Sequence, residues 1–316
     1  MAVKVSIVMP TYGHEKYIEH AIQSVLMQKV NFEYELLIGE DCSPDNTKLI
    51  VQRYEKMYPD IIKAFYRNPN TYTHPEVYEY GNSADLKLKA LGDFIITLEG
   101  DDFWINPDKL QKQVEFLERN PEYIAVAHRC NVVDEDEKTL NEIYPDCEDD
   151  EYTMRHFASE IMAGQTATIL YRNIYRENSH DLWFLLNDYG PGDRRLLLYL
   201  LAKGKIACFQ EFWSSYRHVT SGGHSYSANY AMDPRKIYIL YEALLNFVYS
   251  EGSNDEIVKY TEMIYYRWIL RMYRKARIDK ETFTQWGKKI VNSRRARLLY
   301  LKQYINRRIL KKKVFA

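Results

Sequence analysis

Only four cysteines occur in 316 residues, and Cys42, Cys130, Cys147 and Cys208 lie far apart with no CxxC pair among them. A disulfide framework and a cysteine zinc site are therefore not expected. The opening "MAVKVSIVMP" has no basic stretch followed by a long apolar one, so no signal peptide is read and the chain is expected in the cytoplasm. Apolar runs such as "IYILYEALLNFVYS" are too short or too interrupted by charge to span a bilayer. Neither G-x-G-x-x-G nor G-x-x-x-x-G-K-[ST] is present, which removes the dinucleotide fingerprint and the Walker P-loop. There is no internal repeat and no low-complexity linker.

What is present has an ordinary globular balance, 46% hydrophobic and 28% charged, with a net charge of −1. That small net charge conceals an asymmetry. From Arg267 onward 17 Lys and Arg face only Asp279 and Glu281, so this segment carries about +15 and the remainder about −16. Two regions are expected, residues 1–230 and a basic helical region 231–316.

In the first hundred residues, β-branched apolar runs alternate with helical spacings. "VKVSIVMP", "YELLIGED", "IIKAFYRN" and "DFIITLEGDD" read as strands; "EKYIEHAIQSVLMQ", "DNTKLIVQRYEKMYP" and "NSADLKLKALG" read as helices. This βαβαβαβ order predicts an α/β fold, a mostly parallel sheet flanked by helices. Further on, "DKLQKQVEFLERNP" and "DRRLLLYLLAKG" are helical, "YIAVAHRCNVV" and "TATILYRN" read as strands, and "KIACFQEFWSSYR" as a strand pair or a strand plus an edge. From about Met232 the pattern is helical.

Ligands of parallel sheets bind beyond the carboxyl ends of the strands, where "MPTYG", "GEDCS" and "EGDDFW" are expected to converge. In "TLEGDDFW", Glu99, Asp101 and Asp102 crowd into four positions after a buried strand. Buried like charges are costly unless a cation joins them, and Mg²⁺ or Mn²⁺ takes carboxylate oxygens together with substrate phosphates. The plain alternative is a solvated acidic turn. Pro10, Thr11 and Tyr12 form a tight turn that offers backbone groups and an aromatic face to a nucleotide base. Asp41 ends its strand where it could accept from a base N–H or a ribose hydroxyl. For Ser43, Asp45 and Thr47 a helix cap and turn is sufficient.

These segments in this order resemble glycosyltransferase family 2, the inverting sugar transferases of the GT-A fold. "VSIVMPTYGHEKYIEHAIQSVLMQ" is similar to the family's first strand and helix, "YELLIGEDCSPDNT" to its nucleotide turn, and "GDFIITLEGDDFWINPDKLQKQVEFL" to its metal-binding segment, with Glu99 where Asp is usual. The likeness runs over about residues 3–225 and includes "GPGDRRLLLYLLAKGKIACFQEFWSSYRHVTSGGHS", where Gly192 replaces a family Glu and Asp193 keeps the Asp that serves as catalytic base. The resemblance implies a donor diphosphate on Mn²⁺ or Mg²⁺ held by Asp102, Asp101 and Glu99, with His218 or His224 as a further ligand and Arg217 adding charge. It implies a nucleoside diphosphate sugar, usually of uridine, and a glycan or lipid-linked acceptor hydroxyl deprotonated by Asp193, with Asp188 the next candidate. A plain N-cap is the alternative for Asp193.

Two other readings compete: a nucleotidyltransferase, against which stands the lack of a Gly-rich basic phosphate loop, and an inactive sugar-nucleotide binding module. In the tail, Leu298, Leu301, Ile305 and Ile309 recur at helical spacing among Arg and Lys. That pattern suits a peripheral helix on an anionic membrane, and equally a stripe packed on the domain or a homo-oligomer contact. Nucleic acid is not expected, since no nucleic-acid motif accompanies the charge.

Overall fold

Strand β1 (Val5–Thr11) shows why the sheet is covered on both sides. Ile7 and Met9 point into one apolar cluster while Val8 points into another. The period of two in a strand sends alternate residues to opposite faces, so a run buried throughout needs helices above and below. The same division recurs in β2 (Tyr34–Glu40), with Ile38 on one side and Leu37 on the other, and in β4 (Phe94–Thr97), with Ile96 and Ile95. The computed structural model describes residues 2–176, 182–187, 191–219 and 234–314.

With β3 (Ile62–Tyr66), these strands run parallel in the order β3-β2-β1-β4. Helices α1 (Ile18–Leu26), α2 (Thr47–Met57) and α3 (Asn82–Lys89) connect them. Ile18, Ala21, Ile22 and Val25, spaced three and four apart, are the buried stripe of α1. After β3 the chain crosses back to place β4 on the far side of β1. The loops after β1 and β4 thus leave in different directions and open a crevice at this reversal of strand order.

The sheet continues with β8 (Leu170–Arg172), antiparallel to both β4 and β6 (Tyr123–Val133). Strand β9 (Lys205–Arg217) runs parallel to β6. It is one strand rather than a pair; register shifts between His128 and Cys130 divide its ladder in two. Short β5 (Phe103–Trp104) and β7 (Glu151–Tyr152) pair antiparallel with β9. Helix α4 is Lys109–Arg119, α5 Met154–Ala158, α6 Leu182–Leu186 and α7 Gly192–Lys203.

The basic region is helical, as its spacing predicts: α8 (Pro234–Ser250), α9 (Asp255–Arg274), α10 (Lys280–Gly287) and α11 (Ser293–Val314). Asn254 and Asp279 cap α9 and α10 by accepting the Ile257 and Thr282 amides. Among the described residues no helix is long and apolar enough to cross a membrane.

Candidate active site

The acidic turn begins where β4 leaves the sheet. The Leu98 amide still donates to the Val8 carbonyl, and the Gly100 amide donates to the Pro10 carbonyl, which straps the turn to the end of β1. Gly100 is required by this approach: a Cβ there would lie 2.6 Å from Thr11 Oγ1 and 2.9 Å from His14 Nδ1. The turn closes with the Asp102 amide donating to the Glu99 carbonyl.

Each carboxylate then meets its own partner. Asp102, 2% exposed, accepts from Gln165 Nε2 at 2.7 Å and from the Arg217 amide at 2.8 Å. Glu99 accepts from Thr166 Oγ1 at 2.7 Å. Asp101 Oδ2 lies 3.7 Å from His14 Nε2. Burial holds the Asp102 carboxyl well above the usual carboxylate range, and the charges of Asp101 and Glu99 push it further. Glu99 is raised by burial as well, opposed by the Thr166 hydrogen bond and reinforced by Asp101.

The Arg217 charge opposes the rise at Asp102 only in part. Arg217, expected on a diphosphate, is itself buried, and its side chain runs to neighbouring backbone. Its Nε donates to the Asp101 carbonyl, Nη1 to the carbonyls of Asp134 and Glu135, and Nη2 to Glu137 Oε1 at 2.9 Å. Tyr17 stacks under it at 4.3 Å. Arg217 therefore anchors the 134–137 turn to the acidic one and carries Asp102 on its amide. Arg217 also lines the cavity, and so does Lys87 of α3, half-buried, its ammonium pushed down to about 8 by burial and supported by Glu99.

The carboxylates line a cavity of about 400 Å³, and so does Asp193 from the first turn of α7. Asp193 Oδ1 accepts from the Arg194 amide at 2.7 Å, and the helix starts at Gly192, so this Asp lies inside the helix rather than at its cap. Across the cavity stand Lys87, Tyr144 and Tyr216. Gln165, Thr166 and Lys87 were not singled out from the sequence. They are ordinary polar residues whose meaning comes from partners brought close by the fold, 63 and 67 positions away for Gln165 and Thr166.

The β1 and β2 loops flank the cavity without lining it. The Thr11 carbonyl accepts the Asp41 amide, and Thr11 Oγ1 lies 3.1 Å from His14 Nδ1. Tyr12 follows, half-buried. Three successive amides, of Gly13, His14 and Glu15, donate to Ser43 Oγ, Thr47 Oγ1 and Asp45 Oδ2. The alternate polar positions of "GEDCSPDNT" thus bind the β1 loop as well as start α2. Asp41 gives both carboxylate oxygens to Thr71, its amide and its hydroxyl, each at 2.8 Å. His218 pairs with Glu142 through Nδ1 at 2.7 Å and does not line the cavity. His224 and Asp188 lie outside the described residues.

The donor set suits a hard divalent cation in its chemistry: carboxylate oxygens whose mutual repulsion a positive charge would relieve. Among the described residues no three His, Cys, Asp or Glu groups form a ready cage. Such a set fits a cation that takes one or two carboxylates and completes its shell with water and substrate phosphate.

The sequence pattern of glycosyl transferase family 2 matches residues 6–177, which run from the second residue of β1 through β4 and the whole acidic turn. The chain belongs to glycosyltransferase family 2. An uncharacterized protein of Mycobacterium tuberculosis is 29% identical over 279 residues, 84% of this chain and 74% of that one. The poly(ribitol-phosphate) beta-N-acetylglucosaminyltransferase TarS of Staphylococcus aureus is 29% identical over 120 residues, 37% of this chain and 19% of TarS. The crystal structure of TarS residues 1–349 in complex with UDP-GlcNAc superposes with a TM-score of 0.62 at 17% identity, covering 93% of this chain and 81% of that one. That likeness is one of fold, and it extends past the family-matched residues into the helical region. Family membership makes the cavity between the acidic turn and α7 the candidate active site of a glycosyltransferase.

Proposed function

We propose that this chain is an inverting, metal-dependent glycosyltransferase that moves a sugar from a uridine diphosphate donor to a hydroxyl of a glycan or lipid-linked acceptor. The observation that carries the reading is that Asp193 and the Glu99–Asp102 turn open into one cavity of about 400 Å³. A single displacement needs one carboxylate to take the acceptor proton and a separate set of charges where the diphosphate departs. In this reading Asp193 receives the proton from the acceptor oxygen as it attacks the anomeric carbon, and the donor's diphosphate leaves from the opposite face. Asp101 and Asp102, with Glu99 behind them, are the carboxylates that would hold Mn²⁺ or Mg²⁺, whose Lewis acidity neutralises a departing diphosphate. Lys87 offers further positive charge from α3. The end of β1 at Pro10 and Thr11, with Tyr12 after it, and Asp41 after β2 would bound the nucleotide. The TarS structure in complex with UDP-GlcNAc supports a uridine donor. The same reading places the enzyme at the cytoplasmic side of a membrane when its acceptor is lipid-linked.

A screen of nucleoside diphosphate sugars, read as nucleoside diphosphate release with and without excess chelator, tests this. Release from a uridine-linked sugar, lost in chelator and restored by Mn²⁺ or Mg²⁺, is the expected result. Asp102→Ala should abolish it. Pyrophosphate release in place of a nucleoside diphosphate would make the chain a nucleotidyltransferase. Full activity in excess chelator would remove the metal from the scheme.

A further inference from the structure

Helix α11 contains no acidic residue, and its two faces differ. Ala296 is fully buried, and Leu299 and Tyr300 pack on the core. Leu298, Leu301 and Ile305, on the opposite side, are 59%, 49% and 53% exposed. These three stripe residues are thus turned to solvent, and the side chain of Ile309 lies outside the described residues. Exposed Arg294, Arg297 and Lys302 flank it.

Between α9 and α11 runs a groove of about 340 Å³ with Arg267, Arg271, Arg274 and Lys275 on one wall and Tyr300 and Tyr304 on the other. No carboxylate lines it. Arg267 is tied to the Ala158 carbonyl and Glu160. Arg271, Arg274 and Lys275 form no ion pair with any described carboxylate. Four cations at positions i, i+4, i+7 and i+8 of one helical face repel one another. The helix dipole favours those in the last turn, Arg274 and Lys275, and gives no such support to Arg267 and Arg271 earlier in the helix. An array of this kind, walled by tyrosines of a helix that also carries exposed apolar residues, is complementary to closely spaced phosphates at an apolar boundary.

We infer that the α9–α11 groove binds phosphate headgroups of an anionic bilayer while Leu298, Leu301 and Ile305 of α11 enter the acyl boundary. The remainder of the chain, at about −16, is repelled by the same surface and holds the sugar-transfer cavity away from the headgroups. The inference rests on the proposed function only for its purpose, since a lipid-linked acceptor would be met there.

Co-sedimentation of the full chain with vesicles of phosphatidylcholine alone, and of phosphatidylcholine with phosphatidylglycerol in equal parts, tests this at low and high salt. Binding is expected only to the anionic vesicles and should weaken as salt shortens the Debye length. Each cation near such a surface is worth about fivefold in partition. Arg271→Gln, Arg274→Gln and Lys275→Gln together should therefore lower binding by roughly a hundredfold. Leu298→Ser with Leu301→Ser should weaken it while keeping the salt dependence. Both variants should melt as the wild type does. If the full chain ignores anionic vesicles at low salt, the inference is wrong. If it binds and the triple-Gln variant binds equally well, the groove is not the headgroup site. If inorganic polyphosphate displaces the chain from vesicles at phosphate concentrations where orthophosphate does not, the groove belongs to a soluble polyanion. Vesicle binding uses no sugar donor, so a failure of the glycosyltransferase reading would appear in the nucleoside diphosphate assay and not here.

Discussion

At the scale of single residues, Asp193 bears on turnover and His128 on stability. Asp193 lines the cavity from the first turn of α7, where a helix favours negative charge. Asp193→Asn keeps the shape and the hydrogen bond from the Arg194 amide but cannot take the acceptor proton. Turnover should fall by about 10²-fold or more, the scale of general-base loss, with donor affinity by calorimetry unchanged. His128 lies on the other side of the sheet and has no place in the chemistry. It is 1% exposed, its Nδ1 is 2.8 Å from the Arg129 carbonyl, its Nε2 has no hydrogen-bond partner, and Trp213 packs on its ring. Burial, with the nearby Lys109, holds its pKa well below the usual 6.5. Between that depressed value and 6.5 the unfolded chain carries a proton that the native chain lacks. Stability from this site is therefore complete above about pH 6.5 and is lost as pH falls through the window below it. Melting temperatures of His128→Gln should decline less steeply from pH 7 to pH 5 than those of the wild type. Parallel declines would show that other groups set the acid limb.

At the scale of elements, the site is held together by connections of very different legibility. The helices and strands as far as β4 are readable because each buried stripe repeats every two or three to four residues along a contiguous segment. The acidic turn is readable because three carboxylates in four positions need a reason. By contrast, the insertion of β8 antiparallel between β4 and β6, and the pairing of two-residue β5 with β9, depend on contacts between distant segments that leave no local pattern. The packing of Arg217 has no local signature for the same reason. As an isolated basic residue it suggests an anion partner, and at the end of β9 it is also held by the Asp134 and Glu135 carbonyls, Glu137, Tyr17 and the acidic turn. This assigns it a structural consequence that a lysine cannot reproduce, because one ammonium does not span a forked set of acceptors. Arg217→Lys should lose on the order of 3 kcal/mol of stability, as expected when buried acceptors lose a charged donor. Amide exchange should rise across residues 134–137. If Arg217 acted only as a charge on the donor, the lysine variant would melt like the wild type and change KM alone.

At the scale of the whole molecule, the basic charge gathers from Arg267 onward, and the apolar core runs across the expected boundary near residue 230. Phe247 of α8 stacks on Phe184 of α6, with centroids 4.2 Å apart, and approaches Tyr199 of α7 at 5.7 Å. Leu244 and Val248 of α8 and Met263 and Ile264 of α9 are buried in one cluster with Leu197, Leu200, Phe157 and Ile206. Lys203 pairs with Glu251 at 3.0 Å, and Arg267 reaches back to the Ala158 carbonyl. The charge boundary marks a change of surface: the basic residues stand outside, and the helices carrying them contribute the lid of the core over α5 and α7. A chain ending at Asp233 would uncover that core. Leu244, Phe247, Val248, Met263 and Ile264 alone, at about 2 kcal/mol of burial each, amount to about 10 kcal/mol, which is comparable to the entire stability of an ordinary domain. The full chain should accordingly unfold in one cooperative transition, and the chain truncated before Pro234 should show no cooperative melt by circular dichroism or calorimetry. A truncated chain that melts sharply and still binds a uridine diphosphate sugar would show that residues 1–233 fold alone, and would return α8 and α9 to the status of an appended region.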